Sequence, residues 1–469
     1  MAISSHPRVT EAALQVLDDG GNAADALLAA ALVQTVVEPH MTTITGMFSM
    51  LWYDARSKAY TYCNGGMNAP LAALPGFGMD DLATGRGVPV PGWWAAFCAI
   101  RERFGTMSGP RLAAPAVTFA REGFACYPFL FAVLFTQMNQ LVADDARAAY
   151  FAGGALVEPG GAIVQTRAAE TLEMLAAGGH DAFYRGAFAE RFVQTVRDAG
   201  GVMTREDLDR YAVHWDEPAR GRYRDYDVIG SPAPDDGGAL LIEMLEELQS
   251  HDVRAMGRAE ESPETLALLA GLQARVLAGG GAPRVGSNHL TVVDAEGNVA
   301  TALHSCMSQP WSNGLYVDGI GICAGGLHFL RTMPAPGERA LVPIVPAMLA
   351  RAEGPVLAFG SPSTGLLACA LQNVVNIVDF GDDIATSVHR PRFGGPTNLP
   401  SLWYGDTMIE ANFPEPVRRG AEKLGGRFSI VSPWNFLCGS FDGIVLDRDA
   451  GTLHACADPR RAGAAGGIA

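Results

Sequence analysis

An α+β fold, with helices flanking two mostly antiparallel sheets, is predicted by three observations. The first sixty residues alternate helix and strand signals, the middle of the chain is mostly helical, and the last part is rich in short apolar strands joined by tight turns. The 55 glycines and 29 prolines supply the breaks that so many turns need. With 48% apolar and 18% charged residues, the 469-residue chain is globular and has ample side chains to bury. Its length allows two or three cores or one large layered one.

Thr10 reads as the cap of an apolar-periodic stretch through Leu17, which Gly20-Gly21 stops. Asn22 then caps an Ala-rich helix from Ala23 to about Val37, apolar nearly all round and so expected to be buried. Met47 to Tyr53 and Ala59 to Cys63 read as strands joined by the turn Asp54-Ala55-Arg56-Ser57-Lys58. Pro89, Pro91 and Gly92 precede a helix from Trp93 to Phe104. From Pro110 to about Leu248 the pattern is mostly helical, with a polar cap at Thr204 to Asp207 and one strand at Tyr226 to Ile229. The breaker-rich run from Ala278 to Gly286 follows and reads as a flexible joint. Asn288 to Val293 and Val299 to Ser305 then form a hairpin around Asp294 to Asn298. Strands at Pro355 to Phe359 and Gly443 to Leu446 and a helix from Leu366 to Val378 complete the pattern.

The net charge of −16, from 34 basic and 50 acidic residues, is spread along the chain. With no basic surface to collect phosphates, nucleic acid and anionic membranes are excluded as partners, and a small-molecule substrate is expected. The eight cysteines show no C-x-x-C pair and no short-spaced cluster, which points to a reducing compartment and away from a zinc site. The first fifteen residues lack the charged and apolar regions of a secretory signal, and the run Phe129 to Phe135 is far too short to span a membrane. A cytoplasmic protein is the expectation.

Gly319-Ile320-Gly321-Ile322-Cys323-Ala324 matches a dinucleotide fingerprint, but the residues that follow do not supply the helix this motif needs. No other nucleotide, metalloprotease or nucleophile-elbow motif occurs, and no two histidines stand four apart. No cofactor and no metal is expected.

The segment Gly286-Ser287-Asn288-His289-Leu290 lies between the glycine-rich joint and the hairpin. A hydroxyl that opens a strand at a small-residue joint is where self-cleavage would expose a new amino terminus. Ser287 Oγ could attack the Gly286 carbonyl, and an N-to-O acyl shift and hydrolysis would leave Ser287 with a free α-amine. That amine, with a pKa near about 8, is a general base for its own hydroxyl. The ordinary alternative is a strand-opening serine after a surface loop, and spacing alone favours it.

The chain as a whole resembles the γ-glutamyltransferase family of N-terminal-nucleophile hydrolases. The resemblance is carried by Ser4-Ser5-His6-Pro7, Gly20 to Ala26, Val37-Glu38-Pro39-His40, Val90-Pro91-Gly92, Arg103 to Thr106, and Ala120 to Phe124. It continues through Gly200-Gly201, Glu206 to Leu208, Tyr211, Pro234, Gly237-Gly238, Asn288 to Asp294, and the carboxy-terminal Ala457-Asp458-Pro459-Arg460-Arg461 with Gly463-Ala464-Ala465. It implies a four-layered αββα fold, self-cleaved into segments 1–286 and 287–469 that stay intertwined as a heterodimer, with higher assembly left open. By position, Ser287 falls at the nucleophile, where the family usually has threonine, and Ser305 at a hydroxyl that bonds to it. Ser363 and Thr364 fall in the turn whose backbone N–H groups form the oxyanion hole, where the family has two glycines.

On the substrate side the resemblance breaks. Gly66 stands where the family has the arginine that grips the glutamyl carboxylate, and Met307 where it has an asparagine. Val342 and Pro343 replace paired serines, and Ile322 or Cys323 an acidic residue. His289 is expected in the same pocket. A glutamyl zwitterion would leave its charges unpaired there, so a different substrate is expected. Relatives that lost the glutamyl-binding set, in the pathways to lincomycin, hormaomycin and pyrrolobenzodiazepines, suggest hydrolysis of a carbon–carbon bond with release of an oxalyl fragment. The alternatives are an amidohydrolase or acyltransferase on a small amide, and an unprocessed, non-catalytic descendant. The short interval from Gly238 to Ser287 implies a trimmed lid segment.

Overall fold

The computed structural model describes residues 1–278, 287–307, 309–395, 397–399, 402–404 and 406–468. Two antiparallel sheets stack face to face. One has seven strands, in the order Ala464–Gly466, Ala2–Ser4, Ser287–Val293, Val299–Ser305, Met47–Asp54, Ala59–Gly65, His214–Asp216. The other has six, in the order Thr452–Ala455, Ile444–Asp447, Gly354–Gly360, Pro346–Arg351, Tyr226–Gly230, Ala219–Tyr223. Between them lies a band of alternate strand residues, among them Ile3, Leu51, Tyr62, Val293, Met348 and Ile444. The outer faces of the two sheets carry separate helical layers and cores. This is the αββα arrangement.

Local chemistry explains the main elements. Asn22 and Asp25 form a reciprocal capping box at the start of the helix Ala23–Val37, which is buried at every position but Thr35. It packs on the strand that Ser287 opens and on its neighbour Val299–Ser305. The helices Trp93–Phe104 and Leu366–Val378 form at the positions expected of them. The first helix begins earlier than expected, at Pro7, because proline at the first position has the right φ and the His6 side chain accepts a hydrogen bond from the Arg8 amide. Thr10 lies inside it, with its hydroxyl bonded to Ser4 and to the Ala464 carbonyl. The largely helical middle also carries strands that sequence did not reveal: His214–Asp216 and Ala219–Tyr223, which join the two main sheets, and four two-residue strands at Phe124–Ala125, Phe151–Ala152, Ala155–Leu156 and Ala162–Ile163.

The seven-stranded sheet interleaves the two ends of the chain. The strand opened by Ser287 sits between Ala2–Ser4 and Val299–Ser305, and the latter pairs in turn with Met47–Asp54. Among the described residues, no helix is long and apolar enough to cross a membrane, and no group of three or more His, Cys, Asp or Glu side chains could hold a metal ion. Gly319–Ala324 runs into a short 3₁₀ turn, Gly325–Leu330, and not into an α-helix.

Candidate active site

Ser287 is the first residue of a central strand and is buried. Directly across the ladder stands Ser305, the last residue of the return strand. Cross-strand partners have Cβ atoms about 4.5–5.5 Å apart, so register alone brings the two hydroxyl-bearing residues together. Ser305 Oγ accepts the Met307 amide at 2.8 Å.

From the facing sheet, the turn after Gly354–Gly360 delivers the segment expected to form an oxyanion hole. The Ser363 amide donates to Ser287 Oγ at 3.0 Å. To point its N–H there, Ser363 adopts φ +82°, a conformation that favours glycine. This is the physical reason for glycine at such a position, and serine holds it at a cost of roughly 1–2 kcal/mol. Thr364 is buried beside it with its hydroxyl turned away, onto the Leu437 carbonyl at 3.0 Å.

Beside Ser287 is a cavity of about 10 Å³, room for roughly one water, lined by Met307, His328, Pro343, Ile344, Ser363 and Leu366. Val342 and Cys323 pack with Met307 and Ile344 in one apolar cluster behind it. Ile322 and Cys323 also line a second cavity of about 40 Å³ beyond Cys306.

Two expected pocket residues lie elsewhere. Gly66 is covered by Arg339: a Cβ at position 66 would fall 2.9 Å from Arg339 Cδ, and the guanidinium donates to the Gly66 and Ala212 carbonyls, each at 2.7 Å, and to Tyr211 Oη at 2.5 Å. His289 shares the intersheet face with Ser287, since both are on the same side of the strand, but it lies one step deeper. Its Nε2 bonds Thr301 Oγ1 at 2.8 Å, Gly360 covers it, and it does not line the cavity. Burial lowers its pKa to about 3, so it is neutral at pH 7, and burial also pushes the carboxyl of its neighbour Asp442, 3.9 Å away, well above the usual carboxylate range. Gly286, the other partner in the expected cleavage, lies outside the described residues.

The opposite side of the strand carries a polar network that sequence reasoning did not assemble. Arg461 donates to the Ser287 carbonyl at 3.1 Å, to Asn288 Oδ1 at 2.7 Å and to Glu38 at 2.8 Å. Glu38 also accepts from Ser5 at 2.9 Å and Gln34 at 3.0 Å. Gln34 in turn bonds His304, which accepts from Trp93 Nε1 at 3.0 Å. Burial, the largest influence, raises the Glu38 pKa, but the Arg461 guanidinium together with His6, His40 and the Ser5 hydrogen bond outweighs it and the net shift is downward. Ser5, Glu38 and Arg461 were visible in sequence as separate motifs; their convergence at the main chain of Ser287 and at Asn288 was not.

The gamma-glutamyltranspeptidase family model matches residues 9–278 and 272–468, nearly the whole chain. The chain belongs to that family. It is 27% identical to the glutathione hydrolase proenzyme of Bacillus subtilis (strain 168), an alignment spanning 100% of this chain and 91% of that protein. It is also 27% identical to the acylase ACY 1 proenzyme of Pseudomonas sp. (strain V22), over 97% of this chain and 91% of the relative. Among solved structures, cephalosporin acylase from Bacillus halodurans superposes with a TM-score of 0.85 at 21% identity, covering 100% of this chain and 95% of that one. LmbA2991HD superposes with a TM-score of 0.81 at 22% identity, covering 100% and 98%. These likenesses establish the N-terminal-nucleophile hydrolase fold, and the family is one of hydrolases and acyltransferases.

Proposed function

We propose that this family member is a self-processing acyl hydrolase that cleaves itself between Gly286 and Ser287 and acts on a non-glutamyl substrate. The observation that carries the reading is the Ser363 amide aimed at Ser287 Oγ at 3.0 Å, opposite Ser305 in register. Ser287 attacks a carbonyl carbon, and its freed α-amine takes the hydroxyl proton and returns it to the leaving group. The Ser363 N–H, with that of Thr364, stabilises the oxyanion, and water then releases the acyl group. Arg339 filling the space beside Gly66, and the apolar cluster of Met307, Cys323 and Val342, support a substrate other than a glutamyl zwitterion.

The carbonyl can belong to an amide or to a ketone, since attack forms the same tetrahedral intermediate in both. Amide hydrolysis is favoured by relatives named acylases. Carbon–carbon hydrolysis releasing an oxalyl fragment is the second reading, favoured by the loss of the glutamyl-gripping set. The products of maturation are two pieces that stay associated as a heterodimer.

Gel electrophoresis of the purified protein tests this. Dividing the 49.5 kDa chain at residue 286 gives pieces of about 30 and 19 kDa. Ser287→Ala should abolish both cleavage and turnover. A wild-type chain that stays intact on storage would refute the mechanism, and brisk turnover of γ-glutamyl-p-nitroanilide would refute the substrate reading.

A further inference from the structure

We infer that the acyl group taken up at Ser287 is short, with about one or two carbons beyond its carbonyl, and that Met307 and Leu366 set that limit. The inference rests on the reading of Ser287 as the nucleophile and specifies the class of its substrate.

Among the described residues, the cavity beside Ser287 measures about 10 Å³, room for one water and so for a group the size of a methyl. Its walls are apolar where a chain would extend, at Met307, Pro343, Ile344 and Leu366. A longer chain has to push one of them aside, and each is held from behind. The Val342 amide donates to the Pro234 carbonyl at 2.8 Å, the Ile344 carbonyl accepts from Ser231 Oγ at 2.7 Å, and the proline between them has a fixed φ. Gly237 backs onto the same stretch so closely that a Cβ there would fall 2.3 Å from the Ile344 oxygen. On the side of Leu366, the Thr364 hydroxyl ties the turn to the Leu437 carbonyl at 3.0 Å, and a Cβ on Gly365 would fall 2.6 Å from that same oxygen. The Met307 amide is bound to Ser305 Oγ at 2.8 Å. Walls packed in this way yield little to added methylenes, because close-packed interiors hold almost no spare volume.

Nor does the cavity run on into the next one. The second cavity, of about 40 Å³, is lined by Cys306 and Cys323, neither of which lines the first, and the Cys323 thiol rests on the Cys306 carbonyl. Met307, which lines only the first, stands at the partition. The limit is therefore steric. Pro343 and Ile344 belong to the braced backbone, whereas Met307 and Leu366 are walls that substitution can shorten.

Acetyl-, propionyl- and hexanoyl-p-nitroanilide share a leaving group and differ only in chain length, so their kcat/KM values read the limit directly. The wild-type protein should favour the acetyl and propionyl compounds over the hexanoyl one by about a hundredfold or more. Leu366→Ala and Met307→Ala should each lower the acetyl-to-hexanoyl ratio by about tenfold or more. The ratio is read within one preparation, so a loss of folded protein cancels. Mass spectrometry of the quenched reactions reads the same selection as acylation of the segment that begins at Ser287. A wild-type protein that accepts the hexanoyl compound as well as the acetyl one would overturn the inference, as would a ratio unmoved in both variants. Failure of a self-cleaved chain to turn over either short compound would overturn it too. Acetyl turnover that persists in Ser287→Ala would instead refute the reading of Ser287 as the nucleophile.

Discussion

Replacing Arg461 with methionine isolates the network that holds the main chain of Ser287. The Arg461–Glu38 pair spans 2.8 Å, and each side chain is only 2% exposed. Methionine fills much of the same volume but leaves Glu38 as a buried, uncompensated carboxylate. Removing one partner of such a pair costs about 3–5 kcal/mol, against at most about 1 kcal/mol for an exposed pair. The bonds from Ser5 and Gln34 to Glu38 are present before and after, so they do not offset the loss. The double variant Arg461→Met/Glu38→Gln removes the stranded charge and should recover about 2 kcal/mol or more. The pH dependence has a definite sign. In the wild type the folded-state pKa of Glu38 is depressed, so its contribution is present above the unfolded value of 4.5 and is lost as pH falls through the folded value. In Arg461→Met burial is the largest influence left on Glu38, opposed by the Ser5 bond and the weaker pull of His6 and His40; its folded-state pKa should rise above 4.5, so that the penalty is full near neutral pH and shrinks as pH falls toward 4.5. Urea unfolding of the purified proteins at pH 7.5 and pH 5, followed by tryptophan fluorescence, measures both effects. A penalty below about 1 kcal/mol, or one that does not change with pH, would refute this account of the network.

Ser363→Gly should leave turnover within about threefold of wild type, because the proposed oxyanion donor is a backbone N–H. Relief of the φ +82° conformation and the greater freedom of glycine in the unfolded chain nearly cancel, so stability should rise by about 0–1 kcal/mol. A tenfold loss of kcat would show that the hydroxyl itself takes part. His40 is buried against Tyr127 and Phe129 with neither ring nitrogen hydrogen-bonded, and burial lowers its pKa to about 3. Its folded-state pKa lies below the unfolded value of 6.5, so folding loses about 1.4 kcal/mol per pH unit to this one group as pH falls from 6.5 toward 3. His40→Leu should therefore unfold less readily in acid, by about 1.4 kcal/mol per pH unit, when midpoints are compared at pH 6 and pH 5. An unchanged slope would show that His40 gains a proton without unfolding.

Much of the hydroxyl machinery was legible in sequence because it sits on local structure. The hairpin around Asp294 to Asn298 fixes its register through its turn, and that register sets Ser287 against Ser305. Asn22, Asp25 and the even burial of Ala23–Val37 follow in the same way from capping chemistry and all-round hydrophobicity. The substrate side was less legible. Period-two alternation places His289 on the same strand face as Ser287 but does not say that Gly360, 71 positions along, covers it. No pattern within the sequence brings Arg339 onto Gly66 or Arg461 onto Glu38, contacts that span 273 and 423 positions. By itself the sequence determined the family, the layered α+β fold and the residue at the head of the central strand, because those depend on order, periodicity and turns. The tertiary structure alone decided what surrounds that residue, because a pocket is made where distant segments pack. Here those are the turn of Ser363, the 3₁₀ turn that carries His328, and the carboxy-terminal Arg461.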